Sequence, residues 1–203
     1  MSALATQPAT QTAFRLKRTG TEEDLLSLCR TAVATGDEAE ISQILKAGLF
    51  DLARRDKLGS VGYPAPSATR YSRRLVYADA WGRFVVIAMT WGPGQKTPLH
   101  DHAGVWCVEV VVDGQMEVVN YQLMEENKRL RHCRFEQRET VPAPPASAGA
   151  LIPPFEHHVF GNAGSGVAHT LHVYGGPMNR CDIFEPLGGC WFQRIHRELR
   201  YDA

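Results

Sequence analysis

Beyond Gly59 the chain is a succession of short apolar-rich runs punctuated by turn residues, and few folds accept that pattern. Runs at 75–77, 83–91, 105–113, 115–124, 130–138, 169–174 and 190–195 carry the β-branched and aromatic residues that suit a pleated surface. Turn signals such as Trp91-Gly92-Pro93-Gly94, Asp113-Gly114 and Gly175-Gly176-Pro177 separate them, and 142–145 reads as a Pro/Ala connector. Many short strands at this spacing predict a mainly β sandwich or barrel. A helical lead precedes it. Thr21 reads as an N-cap before acidic Glu22, Glu23 and Asp24, and Leu25, Leu26, Leu28, Cys29 and Val33 follow at helical spacing. Gly36-Asp37 breaks this helix, and 38–49 repeats the pattern with Ile41, Ile44 and Leu45. The expected layout is a mobile tail over 1–12 and one domain over 13–203, with helices at about 21–50 and a barrel at about 70–198.

Charge narrows the function classes. Lys plus Arg and Asp plus Glu are both 22, so no global basic field draws the chain to nucleic acid or an anionic membrane. No apolar run reaches the length a bilayer span needs. Residues 1–12 lack the cationic start and apolar centre of a signal peptide. The five cysteines are odd in number, widely spaced and free of any C-x-x-C, which predicts a reducing, cytoplasmic setting without a disulfide scaffold or zinc knuckle.

Thr97-Pro98-Leu99-His100-Asp101-His102 supplies the chemistry. Side chains at i and i+2 of a strand share a face, so His100 and His102 form a ready pair of imidazole metal ligands. A third histidine could come from His157, His158 or His172. In Thr170-Leu171-His172-Val173-Tyr174, Leu171 and Val173 point one way, and Thr170, His172 and Tyr174 the other. A row of hydroxyl, imidazole and phenol can form a hydrogen-bonded relay. His132, His169 and His196 are assigned to surface or core.

Together these segments resemble the cysteine dioxygenases of the cupin superfamily. The resemblance is carried by Leu-His-Asp-His, by Cys107 five residues after the second histidine, by His157-His158-Val159 and by Thr-Leu-His-Val-Tyr. Tyr71-Ser72-Arg73-Arg74-Leu75-Val76 and Trp91-Gly92-x-Gly94 extend it upstream, and Gly175-Gly176-Pro177-x-x-x-Cys181 downstream, over about residues 70 to 185. It implies a cupin jelly-roll β-barrel and an iron(II) site of His100, His102 and His157, with positions left open for substrate and oxygen. His-x-Val selects His157, whereas a one-residue gap would select His158. It also implies a thioether between Cys107 and Tyr174, a relay from His172 and Thr170 to Tyr174, and a carboxylate clamp of Arg73 aided by Tyr71. The implied partners are a small thiol and O2, the implied product a sulfinate. Relatives that prefer thiols such as 3-mercaptopropionate lack the cysteine and carry glutamine for the arginine, so Cys107 and Arg73 lean towards L-cysteine. Two alternatives stay open: a dioxygenase for another thiol (3-mercaptopropionate or mercaptosuccinate) and a non-catalytic metal-binding cupin. Two departures bear on the strands: Trp106 beside the cysteine and Gly175-Gly176 after the tyrosine. Oligomeric state is left open.

Overall fold

The structure, a computed structural model, describes residues 20–202. The segment 1–12, read as a tail, lies outside the described residues. Two helices lead: α1 (Gly20–Val33) and α2 (Glu38–Arg54). Thr21 lies inside α1 rather than ahead of it, a shift within the ordinary uncertainty of a helix end. Asp37 caps α2, its carboxylate accepting from the Glu40 N–H at 2.8 Å. α2 passes through Gly48 to Arg54 instead of stopping near Leu49. A Cβ at Gly48 would collide with Leu28, so this glycine lets the two helices approach closely.

Eleven strands follow: β1 (Ser72–Ala78), β2 (Val85–Trp91), β3 (Leu99–His100), β4 (Cys107–Asp113), β5 (Met116–Asn127), β6 (His132–Ala143), β7 (Ala148–Leu151), β8 (His158–Asn162), β9 (Ala168–Tyr174), β10 (Arg180–Gly188) and β11 (Trp191–Glu198). One sheet has the order β1-β2-β9-β4-β7. The other runs β10-β11-β6-β5-β8-β3 and closes on itself, because β3 also pairs with β10. The chain is mainly β, as expected, and forms a cupin-type barrel. β3, β7, β8 and β10 add to the seven expected runs, and β6 absorbs the start of the connector read at 142–145.

The parity of three neighbouring strands sets up the site. Val86, Ala88, Val108, Val110, Leu171 and Val173 face α1 and α2, packing with Leu25, Cys29, Leu45 and Leu49. The alternate residues Val85, Ile87, Met89, Trp91, Cys107, Val111 and Tyr174 face the barrel interior. Both faces of this sheet are therefore buried, which is why β2 reads as the near-continuous apolar run VVIAMTW. Each such buried side chain contributes about 1.5–3 kcal/mol. That stiffens the strands carrying Cys107, Thr170, His172 and Tyr174. Among the described residues no helix is long and apolar enough to cross a membrane.

Candidate functional site

His100 ends β3, His102 lies two residues on, and His158 opens β8 directly across from His100. Their ring centroids form a triangle of 5.2 Å (His100–His102), 4.5 Å (His100–His158) and 5.1 Å (His102–His158). One donor nitrogen from each lies within 4.8 Å of the others. The surroundings fix the tautomers. His100 Nδ1 is 3.1 Å from the carbonyls of Pro98 and His158, and His158 Nδ1 is 2.8 Å from the Glu156 carbonyl. His102 Nδ1 is 3.4 Å from Glu156 Oε2, which also accepts the His102 backbone N–H at 2.8 Å. Carbonyls only accept, so the ring protons of His100 and His158 belong on Nδ1 and their Nε2 lone pairs stay free; the Glu156 carboxylate beside His102 Nδ1, outside hydrogen-bond geometry, favours the same tautomer. This outer-shell pattern is typical of metal-ligating histidines. Burial, and then the neighbouring imidazoles, push the pKa of His100 and of His102 down to about 3 and that of His158 well below its usual value. All three are neutral at physiological pH, the form that binds a metal. This donor set fits the metal that the resemblance implies.

The third member of the cluster is His158, not His157. One backbone step turns His157 to the other side of the chain. Its ring packs on Phe135 at 5.0 Å and Phe184 at 5.4 Å, in a satellite cluster with Leu99 and Cys133. His169 and His196 sit apart as well, each beside an aspartate, Asp113 and Asp182 respectively.

Behind the cluster runs a polar chain through β2, β9 and β4. The Trp91 indole N–H donates to Thr170 Oγ1 at 2.9 Å, and Thr170 Oγ1 lies 2.8 Å from His172 Nε2. An indole N–H only donates, so the threonine proton is free to go to His172 Nε2, leaving the ring proton on Nδ1. His172 Nδ1 then faces Glu109 Oε2 at 3.2 Å, within ion-pair distance though outside hydrogen-bond geometry. Glu109 is directly opposite His172 across the β4–β9 ladder. Burial alone would raise the Glu109 carboxyl pKa, but His172 beside it lowers it on balance. His172 Nε2 is thus taken by Thr170 while its Nδ1 faces Glu109, and its contact with Tyr174 is between the rings. Tyr174 stacks parallel to His172, with centroids 5.9 Å apart and 7° between planes.

Cys107 is the cross-strand partner of Tyr174. Burial raises the pKa of both well above the usual range, so both stay protonated. The two departures beside them fit one another. A Cβ at Gly175 would collide with the Trp106 indole, and the Gly175 N–H donates to the Trp106 carbonyl at 2.9 Å.

Arg73, on β1, reaches the cavity that the histidines border, together with Tyr71, Met178 and Cys181. It is 4% exposed. Its Nη2 donates to the Met178 carbonyl at 3.0 Å and its Nη1 to the Arg200 carbonyl at 3.4 Å. Asp202 accepts the Arg73 backbone N–H and pairs with the Arg70 guanidinium. Tyr71 stacks on Trp91 at 4.5 Å. Sequence reasoning missed Glu109, Glu156 and the donor role of Trp91. Strand parity could have found Glu109, two residues after Cys107; nothing local marks Glu156.

The profile of the family described as cysteine dioxygenase type I matches residues 61–186. The chain belongs to this family. Cysteine dioxygenase type 1 of Homo sapiens and that of Pongo abelii are each 23% identical over 168 residues, covering 82% of this chain and 80% of theirs. Among solved structures, an RmlC-like cupin protein from Desulfovibrio desulfuricans superposes with a TM-score of 0.41 at 19% identity, over 55% of this chain and 88% of that one. Oxalate oxidase in complex with the substrate analogue glycolate gives 0.43 at 14%, over 58% and 57%. Family membership makes the chain a thiol dioxygenase-type enzyme with a metal site, acting on a small thiol and O2.

Proposed function

We propose that this chain is a cysteine dioxygenase: it oxidises L-cysteine to cysteine sulfinate at iron(II) held by His100, His102 and His158. One observation carries the reading: three neutral imidazoles, one nitrogen of each within 4.8 Å of the other two, border the same cavity as a buried guanidinium. The balance is simple, since RSH and O2 together give RSO2H and both oxygen atoms go to sulfur. Iron(II), when bound, supplies the one-electron chemistry that lets a closed-shell thiol react with triplet dioxygen.

The rest is the work of the chain. Arg73 binds the substrate carboxylate: two main-chain carbonyls hold its guanidinium in place without neutralising it. Tyr71, stacked on Trp91, borders the same end of the cavity. Orienting the thiol against the reacting centre converts a bimolecular encounter into a positioned one. Tyr174, kept protonated by burial, offers a hydroxyl proton, and a thioether to Cys107 would fix its ring. Trp91, Thr170, His172 and Glu109 hold the floor on which that ring stacks. All five cysteines are free, in keeping with a cytoplasmic protein.

The test is anaerobic loading with iron(II), then oxygen uptake and sulfinate analysis with L-cysteine, 3-mercaptopropionate and mercaptosuccinate. Uptake with L-cysteine, one O2 consumed per sulfinate formed, is expected. Uptake with another thiol alone would reassign the substrate. A fully iron-loaded protein that consumes oxygen with none of them would be a metal-binding cupin without this activity.

A further inference from the structure

The charge around the mouth of the site is not that of the chain as a whole. A second, outer cavity continues the first and shares Tyr71, Arg73, Pro98, Arg197 and Leu199 with it. On its wall stand Arg70, Arg73, Lys96, Arg197 and Arg200, against the single acid Glu198. Over the full sequence basic and acidic residues balance at 22 each, so this is local segregation. Arg70 is neutralised by Asp202. Lys96, Arg197 and Arg200 make no ion pair among the described residues. Arg197 stands at the junction. It lies on β11 opposite Cys181, whose side chain borders the inner cavity, and it borders both spaces itself.

We infer that the outer cavity is an anion subsite centred on Arg197, which takes a second carboxylate of a short dicarboxylic thiol while Arg73 takes the first. The inference rests on the thiol dioxygenase reading and adds a short dicarboxylic thiol to L-cysteine as a substrate of the same site. L-cysteine engages Arg73 alone and leaves the outer cations to solvent. A dicarboxylate would satisfy both ends, and two anchored carboxylates fix the thiol-bearing carbon between them. Simple steering by a positive funnel makes a different prediction. It would act on the net charge of the thiol rather than on where its carboxylates sit, and salt would screen it away.

The binding arm uses no thiol. Succinate and butyrate, equal in chain length, are titrated calorimetrically into anaerobic iron-loaded protein. Succinate is expected to bind at least about tenfold more tightly, with that preference lost in Arg197→Gln and reduced in Lys96→Gln. Circular dichroism of each variant confirms its fold, and Lys96→Gln carries the test if Arg197→Gln does not fold. In the turnover arm, Arg197→Gln is expected to lower kcat/KM for mercaptosuccinate about tenfold more than for L-cysteine. Equal affinities for the two acids, or a preference that survives in Arg197→Gln, would overturn the subsite. An equal fall for both thiols would overturn it too, and a difference that high salt abolishes would replace it with steering. The two readings fail separately: succinate preference without turnover of any thiol sinks the dioxygenase assignment alone, and L-cysteine turnover without succinate preference sinks the subsite alone.

Discussion

His157 and His158 are adjacent, so a single backbone step decides which imidazole meets His100 and His102. The first pair was legible because i and i+2 positions of an extended segment share a face. The third was not, since a register slip of one residue exchanges the two sides of β8, and only the pairing of His100 with His158 fixes it. His158→Ala is expected to lose iron. His157→Ala should keep it while costing about 1–3 kcal/mol from the aromatic cluster, the range for a core truncation of this kind. Metal content after anaerobic loading and urea midpoints check the two; iron retained in His158→Ala would refute the ligand set. Arg73 was legible as a clamp only through the family pattern, because nothing in the local sequence separates it from Arg74. The structure does separate them: Arg74 donates to the carbonyls of Val61 and Gly62, whereas Arg73 reaches the cavity. Arg73→Ala should cost about 1.5–3 kcal/mol in kcat/KM for L-cysteine, as a lost charged hydrogen bond does. Cysteamine, which has no carboxylate, should be unaffected, and an equal loss on both thiols would make Arg73 purely structural.

Among the elements, the helices and long strands were readable because period and burial agree. β3 has two residues, too few to show any period. β10 carries Pro186, Gly188 and three charged residues, so its strand character comes from pairing with β11 and β3 rather than from propensity. Yet β3 and β10 are what carry His100 into the barrel. The β4–β9 pair shows the reverse: its alternation was plain in the sequence, and its register places Cys107 against Tyr174 and Glu109 against His172. Directly opposed residues on one face lie close enough to react. If the thioether forms, joining carbon to sulfur removes a hydrogen pair, with dioxygen as the oxidant. Intact mass after many turnovers should fall by the mass of that pair, and digestion should yield one crosslinked peptide containing both residues. Cys107→Ala should keep its iron and a slower rate, since the bond restricts a ring already held by stacking on His172. An unchanged mass, with Cys107 still open to thiol reagents in the unfolded protein, would rule the crosslink out.

For the molecule as a whole, the site is costly to the fold that houses it. Burying three imidazoles side by side leaves His100 and His102 with a pKa of about 3, and the unfolded chain restores each to about 6.5. Between those values the unfolded state binds protons that the folded state refuses. Stability therefore falls as pH drops below about 6.5, by about 1.4 kcal/mol per pH unit for each such histidine. Glu156 works in the opposite direction, because burial raises its pKa and protonation at low pH suits the folded state. Its effect begins closer to the carboxylate range, so the histidines govern the window from about pH 6.5 to 5. Bound iron requires the neutral imidazoles and stabilises only the folded chain, which should delay the loss until protons displace the metal. Urea midpoints of iron-free protein are expected to fall steadily from pH 7 to 5, less steeply in His102→Gln, while the iron-loaded protein holds its midpoint further down before dropping. A pH dependence in His102→Gln as steep as in the unaltered iron-free protein would place the acid sensitivity outside the histidine cluster.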